Sequence, residues 1–278
     1  MPNTSTAVTP HVAKHTSRPK IEFQRLGKRF HRKSEPVPVT VMEGLDLTIY
    51  EGEFVCVVGP SGCGKSTLLN MSAGLMHPSA GKVLYDGAPV AEPNTKVGYI
   101  TQKDNLMPWR TVTANIALPL QIRGMDKKAI GKRVGEMIEL VGLTGFEKAY
   151  PGELSGGMRK RVTLARTLAY KPEVIFADEP FGALDAQLRG VMQQELLRIW
   201  AASKNTVVFI THDISEAVAL GDRVVVLSAR PSRVKVEVPI DLPRPRDLSK
   251  LRFDPRFGEL NEYLWSVLSE DLNEGDEV

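Results

Sequence analysis

The sequence has only two cysteines, few aromatic residues and no long apolar run. Cys56 and Cys63 fit no zinc-ligand spacing, so we expect reduced thiols and no zinc site. No apolar run approaches the roughly 18–20 residues that span a bilayer, which predicts a chain that does not cross a membrane. The N-terminus lacks a cationic region followed by an apolar stretch, so no secretory signal is expected.

The composition is that of an ordinary globular protein with little excess of either charge. The net charge of +3 is too small to indicate nucleic-acid binding by itself. Hydrophobic residues make up 42% and charged residues 25%, enough for a full core. A length of 278 residues allows one large domain or two small ones.

Residues 59–67 have the G-x-x-x-x-G-K-[ST] spacing of a phosphate-binding P-loop. A strand-like apolar run, residues 55–58, precedes the motif, and residues 68–73 can continue as a helix. This context predicts backbone N–H groups around phosphate oxygens at the positive end of a helix. The candidate ATP-binding residues of the loop are Gly59, Pro60, Ser61, Gly62, Cys63, Gly64, Lys65, Ser66 and Thr67.

Three side chains of this loop have individual predictions. Lys65 can reach the β- and γ-phosphates, and the Ser66 hydroxyl is placed to bind Mg²⁺. Cys63 has a second interpretation as a reactive thiol, because a helix N-terminus favours the thiolate.

The remaining sequence predicts an α/β fold. Residues 1–20 lack periodicity and are expected to form a disordered arm, whereas residues 21–53 alternate as β-strands do. The Asp-Gly pair at 86–87 predicts a hairpin. Residues 112–145 have apolar positions at helical spacing, which indicates a helical subdomain. Strands at 174–177, 206–210 and 223–227 alternate with helices, so the sheet should be mostly parallel.

An acidic pair follows one of these apolar strands. Asp178 and Glu179 come at the carboxyl end of the strand, where ligands bind in open α/β sheets. Asp178 is placed to hold Mg²⁺, and Glu179 to orient or deprotonate an attacking water. A lone acidic pair is commonly a solvated turn, but a P-loop about 110 residues upstream favours the functional interpretation.

Several further motifs resemble those of the ATP-binding cassette (ABC) ATPases. Residues 154–161, Leu-Ser-Gly-Gly-Met-Arg-Lys-Arg, resemble the LSGGQ-type signature, with Met158 where Gln is commoner. Gln102 resembles the Q-loop, residues 183–185 the D-loop and residues 211–213 the switch-histidine motif.

The resemblance covers residues 21–231 and implies a P-loop NTPase of the ABC cassette type. Such a fold has a mostly parallel core sheet, an antiparallel β subdomain and an inserted helical subdomain, here at about 103–170. Residues 232–278 would be a C-terminal appendage. Phe30 lies where the family has an aromatic residue that stacks on adenine; an aromatic between strands is otherwise simply part of the core.

The resemblance also implies roles and partners. Glu179, His212 and Gln102 would act in ATP hydrolysis, and Gln102 would join Ser66 and Asp178 at the Mg²⁺. A helix opened by Ser155, Gly156 and Gly157 makes a second anion site. In the family two subunits pair head-to-tail and this signature serves the ATP of the partner, so we expect a C2 dimer of cassettes with two ATPs between them. Asp185 is the D-loop residue. Whether both cassettes are copies of one chain is left open by the sequence.

A finer resemblance points to importers of nitrate, sulfonate and taurine. Residues 105–115, 178–185 and 215–217 are similar to segments of that group. Met107, Pro108 and Trp109 form an apolar cluster that is expected to contact a separate membrane permease. The alternative is that Trp109 fills the core of the helical subdomain. The implied protein is peripheral, at the cytoplasmic face of the cell (inner) membrane, and works indirectly with a periplasmic or extracellular solute-binding protein.

Two other function classes are less favoured. A soluble ABC ATPase acting on nucleic acid or ribosomes usually has two cassettes or a long coiled coil, and no heptad run separates Lys65 from Ser155. A structural protein without turnover would lack Glu179 or His212, and both are present. No nucleic-acid partner is therefore expected. The solute itself is left open, and cyanate or pyrimidine precursors are further alternatives.

Overall fold

The computed structural model describes residues 17–31, 37–182 and 184–273. Most of the predicted N-terminal arm, residues 1–16, lies outside the described residues, as does Ala183 of the D-loop motif. The chain divides into two compact units. The first unit contains residues up to Pro93 and from Thr211 onward, and the second is Asn94–Ile210.

The strands and helices, in chain order, are β1 (Pro19–Phe30), β2 (Val39–Tyr50), β3 (Phe54–Val58), α1 (Lys65–Ser72), β4 (Ala80–Tyr85), β5 (Ala88–Pro89), β6 (Val97–Ile100), α2 (Val112–Ile122), α3 (Lys127–Leu140), α4 (Gly156–Ala169), β7 (Val174–Asp178), α5 (Ala186–Ser203), β8 (Thr206–Ile210), α6 (Ile214–Leu220), β9 (Arg223–Leu227), β10 (Val234–Pro239), α7 (Leu248–Leu251) and α8 (Pro255–Asn273). Strands and helices alternate one by one from β7 to β9, and elsewhere they occur in groups.

An antiparallel sheet in the first unit has the strand order β2-β1-β4-β5. Alternate residues of β1, such as Ile21 and Phe23, are buried, as expected for a strand with one face on a core. Asp86 and Gly87 both have positive φ, 49° and 78°, between β4 and β5. These angles suit the tight turn that the Asp-Gly pair predicts, so the hairpin is confirmed.

The strand that precedes the P-loop lies in the core of the first unit. All five residues of β3 are buried, and β3 pairs in parallel with β9. β10 adds to β9 in the antiparallel direction and was not predicted from the sequence. α6 packs on β3, and α8 packs on α6 through its buried Leu260 and Leu264.

Arg244 and Arg246 fasten the segment after β10 to the end of α6, and Arg244 donates to the Leu220 carbonyl at 2.6 Å. Arg246 is buried and donates to the carbonyl oxygens of Val218, Ala219 and Gly221, which the end of a helix leaves without intrahelical partners. Burial and the neighbouring Arg244 lower the pKa of Arg246 to about 10, so it remains charged at neutral pH. The C-terminal segment is thereby packed into the first unit.

The second unit combines three parallel strands with packed helices. β7 is the middle strand and pairs in parallel with both β6 and β8. Helices α2, α3 and α4 pack on one another, which confirms the helices predicted from the apolar spacing. Val134, Met137 and Ile138 of α3 are buried at that spacing. None of the helices within residues 17–31, 37–182 and 184–273 is long and apolar enough to cross a membrane.

Candidate functional site

The P-loop lies between β3 and α1, in the strand–loop–helix context that the sequence predicts. Gly62 has φ 74° and Gly64 has φ 110°, in the left-handed region that favours glycine. Gly64 is the N-cap of α1, so the loop runs directly into the positive end of that helix. The loop therefore has the backbone of an anion-binding site.

The ammonium group of Lys65 is held close to the loop. Lys65 is only 7% exposed, and its Nζ donates to the carbonyl oxygens of Gly59 at 2.8 Å and Pro60 at 3.0 Å. Ser66 is exposed and Thr67 is half-buried. A buried cation beside helix N–H groups favours binding of an anion such as a phosphate.

The two cysteines are both buried. Burial raises the pKa of the Cys63 thiol, although Lys65 acts in the opposite direction. Burial also raises the pKa of Cys56, helped by the charges of Glu216 and Asp222. The structure thus favours unreactive thiols over the alternative of a reactive Cys63.

Phe30 is the last residue of β1 and is only half-buried. The Lys28 ammonium lies 5.1 Å from the centroid of its ring. The ring is therefore not enclosed in the core, which leaves a face on which a planar group can stack.

The acidic pair lies at the carboxyl end of β7 in the second unit. Asp178 is the last residue of the strand and pairs with Ile210. Glu179 has φ 44°, an uncommon backbone conformation for a residue with a side chain, and its N–H donates to the Ile210 carbonyl at 3.1 Å. Burial, with a contribution from the charge of Asp178, raises the pKa of the Tyr99 hydroxyl. Tyr99 is therefore a neutral neighbour of Asp178 at physiological pH.

The Q-loop is held by side chains of α4, the helix that the signature opens. Lys160 is 5% exposed, donates to the Gln102 carbonyl and pairs with Asp104 at 3.0 Å. Arg159 also reaches Asp104, at 3.2 Å, and Thr163 donates to the Asp104 carbonyl. Asp104 and Lys160 were not predicted, because two opposite charges 56 positions apart in the sequence do not indicate a contact. The side chain of Gln102 itself is exposed.

The signature residues form the beginning of α4, where Ser155 and Gly156 are exposed. Ser155 is the N-cap and accepts a hydrogen bond from the Met158 N–H at 3.3 Å. Gly157 is buried, and a Cβ there would lie 2.4 Å from a methyl group of Leu188. A Cβ on the exposed Gly156 would come no closer than 3.7 Å to Arg159. Gly157 thus serves packing within the chain, whereas the packing does not explain Gly156.

The segment around Trp109 is exposed but held firmly. Trp109 is 71% exposed, so the alternative that it fills the core of the helical subdomain is wrong. The buried Asn115 accepts from the Met107 N–H at 2.8 Å and donates to the carbonyls of Met107, Arg110 and Thr111. This amide fixes the loop that presents Trp109 and the exposed Pro108.

The remaining predicted residues each lie at the start of a helix. His212 is exposed and precedes Asp213, the N-cap of α6, while the N–H of Thr211 donates to the Val57 carbonyl of β3. Asp185 is the N-cap of α5 and accepts from the Leu188 N–H at 2.9 Å.

The predicted site residues are distributed over both units. The first unit contains Phe30, the P-loop and His212. The second contains Gln102, the signature, Asp178, Glu179 and Asp185.

Comparison with known proteins identifies the family. Residues 42–182 match the family model described as ABC transporter. An uncharacterized ABC transporter ATP-binding protein of Methanocaldococcus jannaschii is 50% identical over 234 residues, 84% of this chain and 87% of that protein. The aliphatic sulfonates import ATP-binding protein SsuB of Bacillus anthracis is 45% identical over 233 residues, 84% of this chain and 91% of that protein.

A solved structure shares the fold. The ATP-binding cassette MJ0796, in a dimeric post-hydrolysis state bound to ADP and Pi, aligns with a TM-score of 0.71 and 32% identity. The alignment covers 80% of this chain and all of that one. Together with the P-loop geometry, these matches show that the chain belongs to the ABC transporter family and is an ABC ATPase.

Proposed function

We propose that the chain is the ATP-hydrolysing subunit of an importer for a small anionic or zwitterionic solute, of the nitrate, sulfonate or taurine type. It would couple ATP binding and hydrolysis to uptake through a separate membrane permease, at the cytoplasmic face of the cell membrane. A periplasmic or extracellular solute-binding protein would take part indirectly. The observation that carries the proposal is Trp109, an indole exposed on a loop that a buried amide holds in place.

The relatives support the same direction. Those named SsuB are described as importing aliphatic sulfonates, which favours a sulfonate among the three solute types. The alternative of a soluble ABC ATPase that acts on nucleic acid or ribosomes has no supporting observation.

The P-loop residues, 59–67, are proposed to bind the phosphates of ATP, and Phe30 to stack on the adenine. Ser66, Asp178 and Gln102 offer a hydroxyl, a carboxylate and an amide oxygen, which are the hard ligands that Mg²⁺ prefers. When bound, Mg²⁺ neutralises charge on the β- and γ-phosphates. Lys65 adds a second positive charge from the helix terminus.

Glu179 is proposed to orient the attacking water and accept its proton. His212 is proposed to contact the γ-phosphate and fix the position of Glu179 and the water. Since phosphoryl transfer depends mainly on positioning and charge neutralisation, these roles need rigid supports. The positions of Glu179, directly after β7, and of His212, directly before the N-cap of α6, support these proposed roles.

A head-to-tail homodimer with two ATPs is proposed, in which Ser155, Gly156 and Gly157 face the partner's nucleotide and Asp185 lies in the D-loop. The dimeric state of the related MJ0796 cassette supports this assembly. The exposure of Gly156, which packing does not explain, also supports it.

Gly156→Ala should separate assembly from folding. Because the new Cβ meets nothing closer than 3.7 Å in its own chain, the thermal unfolding midpoint should stay unchanged. The methyl group would intrude on the partner's phosphate, so we expect ATPase activity to fall at least about tenfold, equivalent to one lost charge-assisted contact. ATP binding to the monomer should remain. The measurements are turnover, thermal unfolding and ATP-dependent dimerisation by light scattering.

Gly152→Ala is the matched control, because a Cβ there meets nothing within 4 Å and Gly152 lies outside the signature. Equal activity of the two variants would contradict the proposed role of Gly156.

Affinity purification tests the importer proposal. The tagged Glu179→Gln chain would be purified with ATP from detergent-solubilised membranes, and its partners identified by mass spectrometry. We expect a multi-span permease, and its loss when Trp109→Ser is added. Trp265→Ser is the matched control, since Trp265 is also exposed, at 62%, but lies in α8. Recovery of soluble proteins or nucleic acid alone would overturn the importer proposal and leave the ATPase assignment in place.

A further inference from the structure

The segment that begins with the last residue of β9, residues 227–232, lies against the P-loop. A Cβ on Gly59 would be 2.8 Å from the Leu227 carbonyl oxygen, and one on Gly62 would be 2.5 Å from Nη2 of Arg230. A Cβ on Gly64 would be 3.7 Å from Oγ of Ser232. Each glycine of the loop is therefore close to this one segment.

The segment is anchored to β2. Ser232 is fully buried, and both its N–H, at 2.9 Å, and its hydroxyl, at 3.1 Å, donate to the Val41 carbonyl. The Glu43 N–H returns a hydrogen bond to the Ser232 carbonyl. Arg230 consequently extends toward the loop from a fixed backbone.

Arg230 provides a charged side-chain contact from this segment to the loop. Its Nε donates to the Gly62 carbonyl at 2.5 Å. Its positive charge also acts on the loop, since it lowers the pKa of Cys63 against the larger effect of burial. A guanidinium has five N–H donors in a rigid fork, so a bond through Nε fixes the direction of the whole group.

The contact between Arg230 and the Gly62 carbonyl bears on phosphate binding because Gly62 lies within the P-loop. Gly62 has φ 74° and no Cβ, so its own side chain does not restrict its backbone conformation. A hydrogen bond to the Gly62 carbonyl fixes the plane of the peptide that joins it to Cys63. Ordering a binding loop beforehand lowers the cost of ordering it on binding, and a nearby cation attracts phosphate.

We propose that Arg230 is a positioning residue for nucleotide binding, which holds the Gly62–Cys63 peptide of the P-loop and adds positive charge beside it. The inference rests on the proposed assignment of the P-loop as the ATP site. Arg230 acts on the loop backbone rather than on the reacting atoms. Its loss therefore raises the dissociation constant and the KM for ATP and leaves kcat at saturating ATP almost unchanged.

Isothermal titration with ATP in EDTA, where no turnover occurs, tests this inference. Arg230→Ala should raise the dissociation constant about tenfold, the equivalent of one charge-assisted hydrogen bond. Arg230→Lys keeps the charge without the fork and should give about a threefold rise, a partial rescue. Arg233→Ala is the matched control, because Arg233 is an exposed arginine that directly follows this segment but pairs with Glu43 at 3.0 Å. The dissociation constant of this variant for ATP should change less than twofold.

Steady-state kinetics on the same variants separate positioning from general loss of structure. The expected result for Arg230→Ala is a raised KM with kcat within about twofold of the original, the pattern of lost uniform binding. An unchanged dissociation constant, an equal effect of Arg233→Ala, or a fall in kcat without a change in KM would each overturn the proposal. If Arg230→Ala does not fold, the test rests on Arg230→Lys, and an unchanged dissociation constant of that variant for ATP would overturn the proposal. Failure of the unsubstituted chain to bind ATP would instead overturn the assignment of the P-loop.

Discussion

Glu179→Gln is expected to abolish nearly all ATP turnover, by about 10²–10⁴-fold, the usual contribution of a general base. The amide keeps the size and shape of the side chain but cannot accept a proton from water. ATP binding and dimer formation should persist, because the P-loop and the signature are untouched. Turnover is measured by phosphate release, and binding by titration calorimetry.

Glu173→Gln is the matched control for this substitution. Glu173 is an exposed carboxylate immediately before β7, whereas Glu179 comes immediately after it. Glu173→Gln should hydrolyse ATP within about twofold of the original rate, as surface substitutions usually have small effects. If Glu179→Gln also hydrolyses ATP normally, the assignment of Glu179 as the base is wrong.

Lys65→Ala is expected to remove nucleotide binding itself. The substitution deletes a buried ammonium that is bonded to the Gly59 and Pro60 carbonyls and lies at the N-terminus of α1. Losing one member of a buried charge contact costs about 2–5 kcal/mol, so the dissociation constant for ATP should rise by roughly 30-fold or more. Titration calorimetry with ATP, and circular dichroism to verify folding, provide the measurements.

Lys82→Ala controls for the removal of a positive charge from the same unit, because Lys82 is exposed in β4. Its ATP affinity should be unchanged at moderate ionic strength, where exposed charges are screened. ATP binding by Lys65→Ala with the original affinity would show that the phosphates lie elsewhere.

The features predicted from the sequence are those that local patterns determine. β3 followed by the P-loop and α1 was predictable because a glycine-rich loop between a buried strand and a helix has few alternatives. The β4–β5 hairpin was predictable because Asp86 and Gly87 tolerate positive φ. The apolar spacing in α3 predicted which residues of that helix are buried.

One missed element had a local signal, whereas the missed contacts join distant residues. β10 has the alternating Val-Lys-Val-Glu-Val pattern of a strand, which was overlooked beside the proline-rich and arginine-rich stretch that follows it. The Lys160–Asp104 pair and the Arg230 contact with Gly62 join residues 56 and 168 positions apart. Trp109 left two interpretations open because an apolar residue fits a core or an interface equally well, and only its exposure decides.

The left-handed backbone conformation of Glu179 lowers the stability of the fold at a position that is proposed to be needed for ATP turnover. A residue with a side chain pays roughly 1–2 kcal/mol for that conformation, and glycine would not. Glycine at position 179 would therefore stabilise the fold, at the loss of the proposed base. A chain with no need for ATP turnover would gain stability from that replacement, whereas a working ATPase would lose its activity.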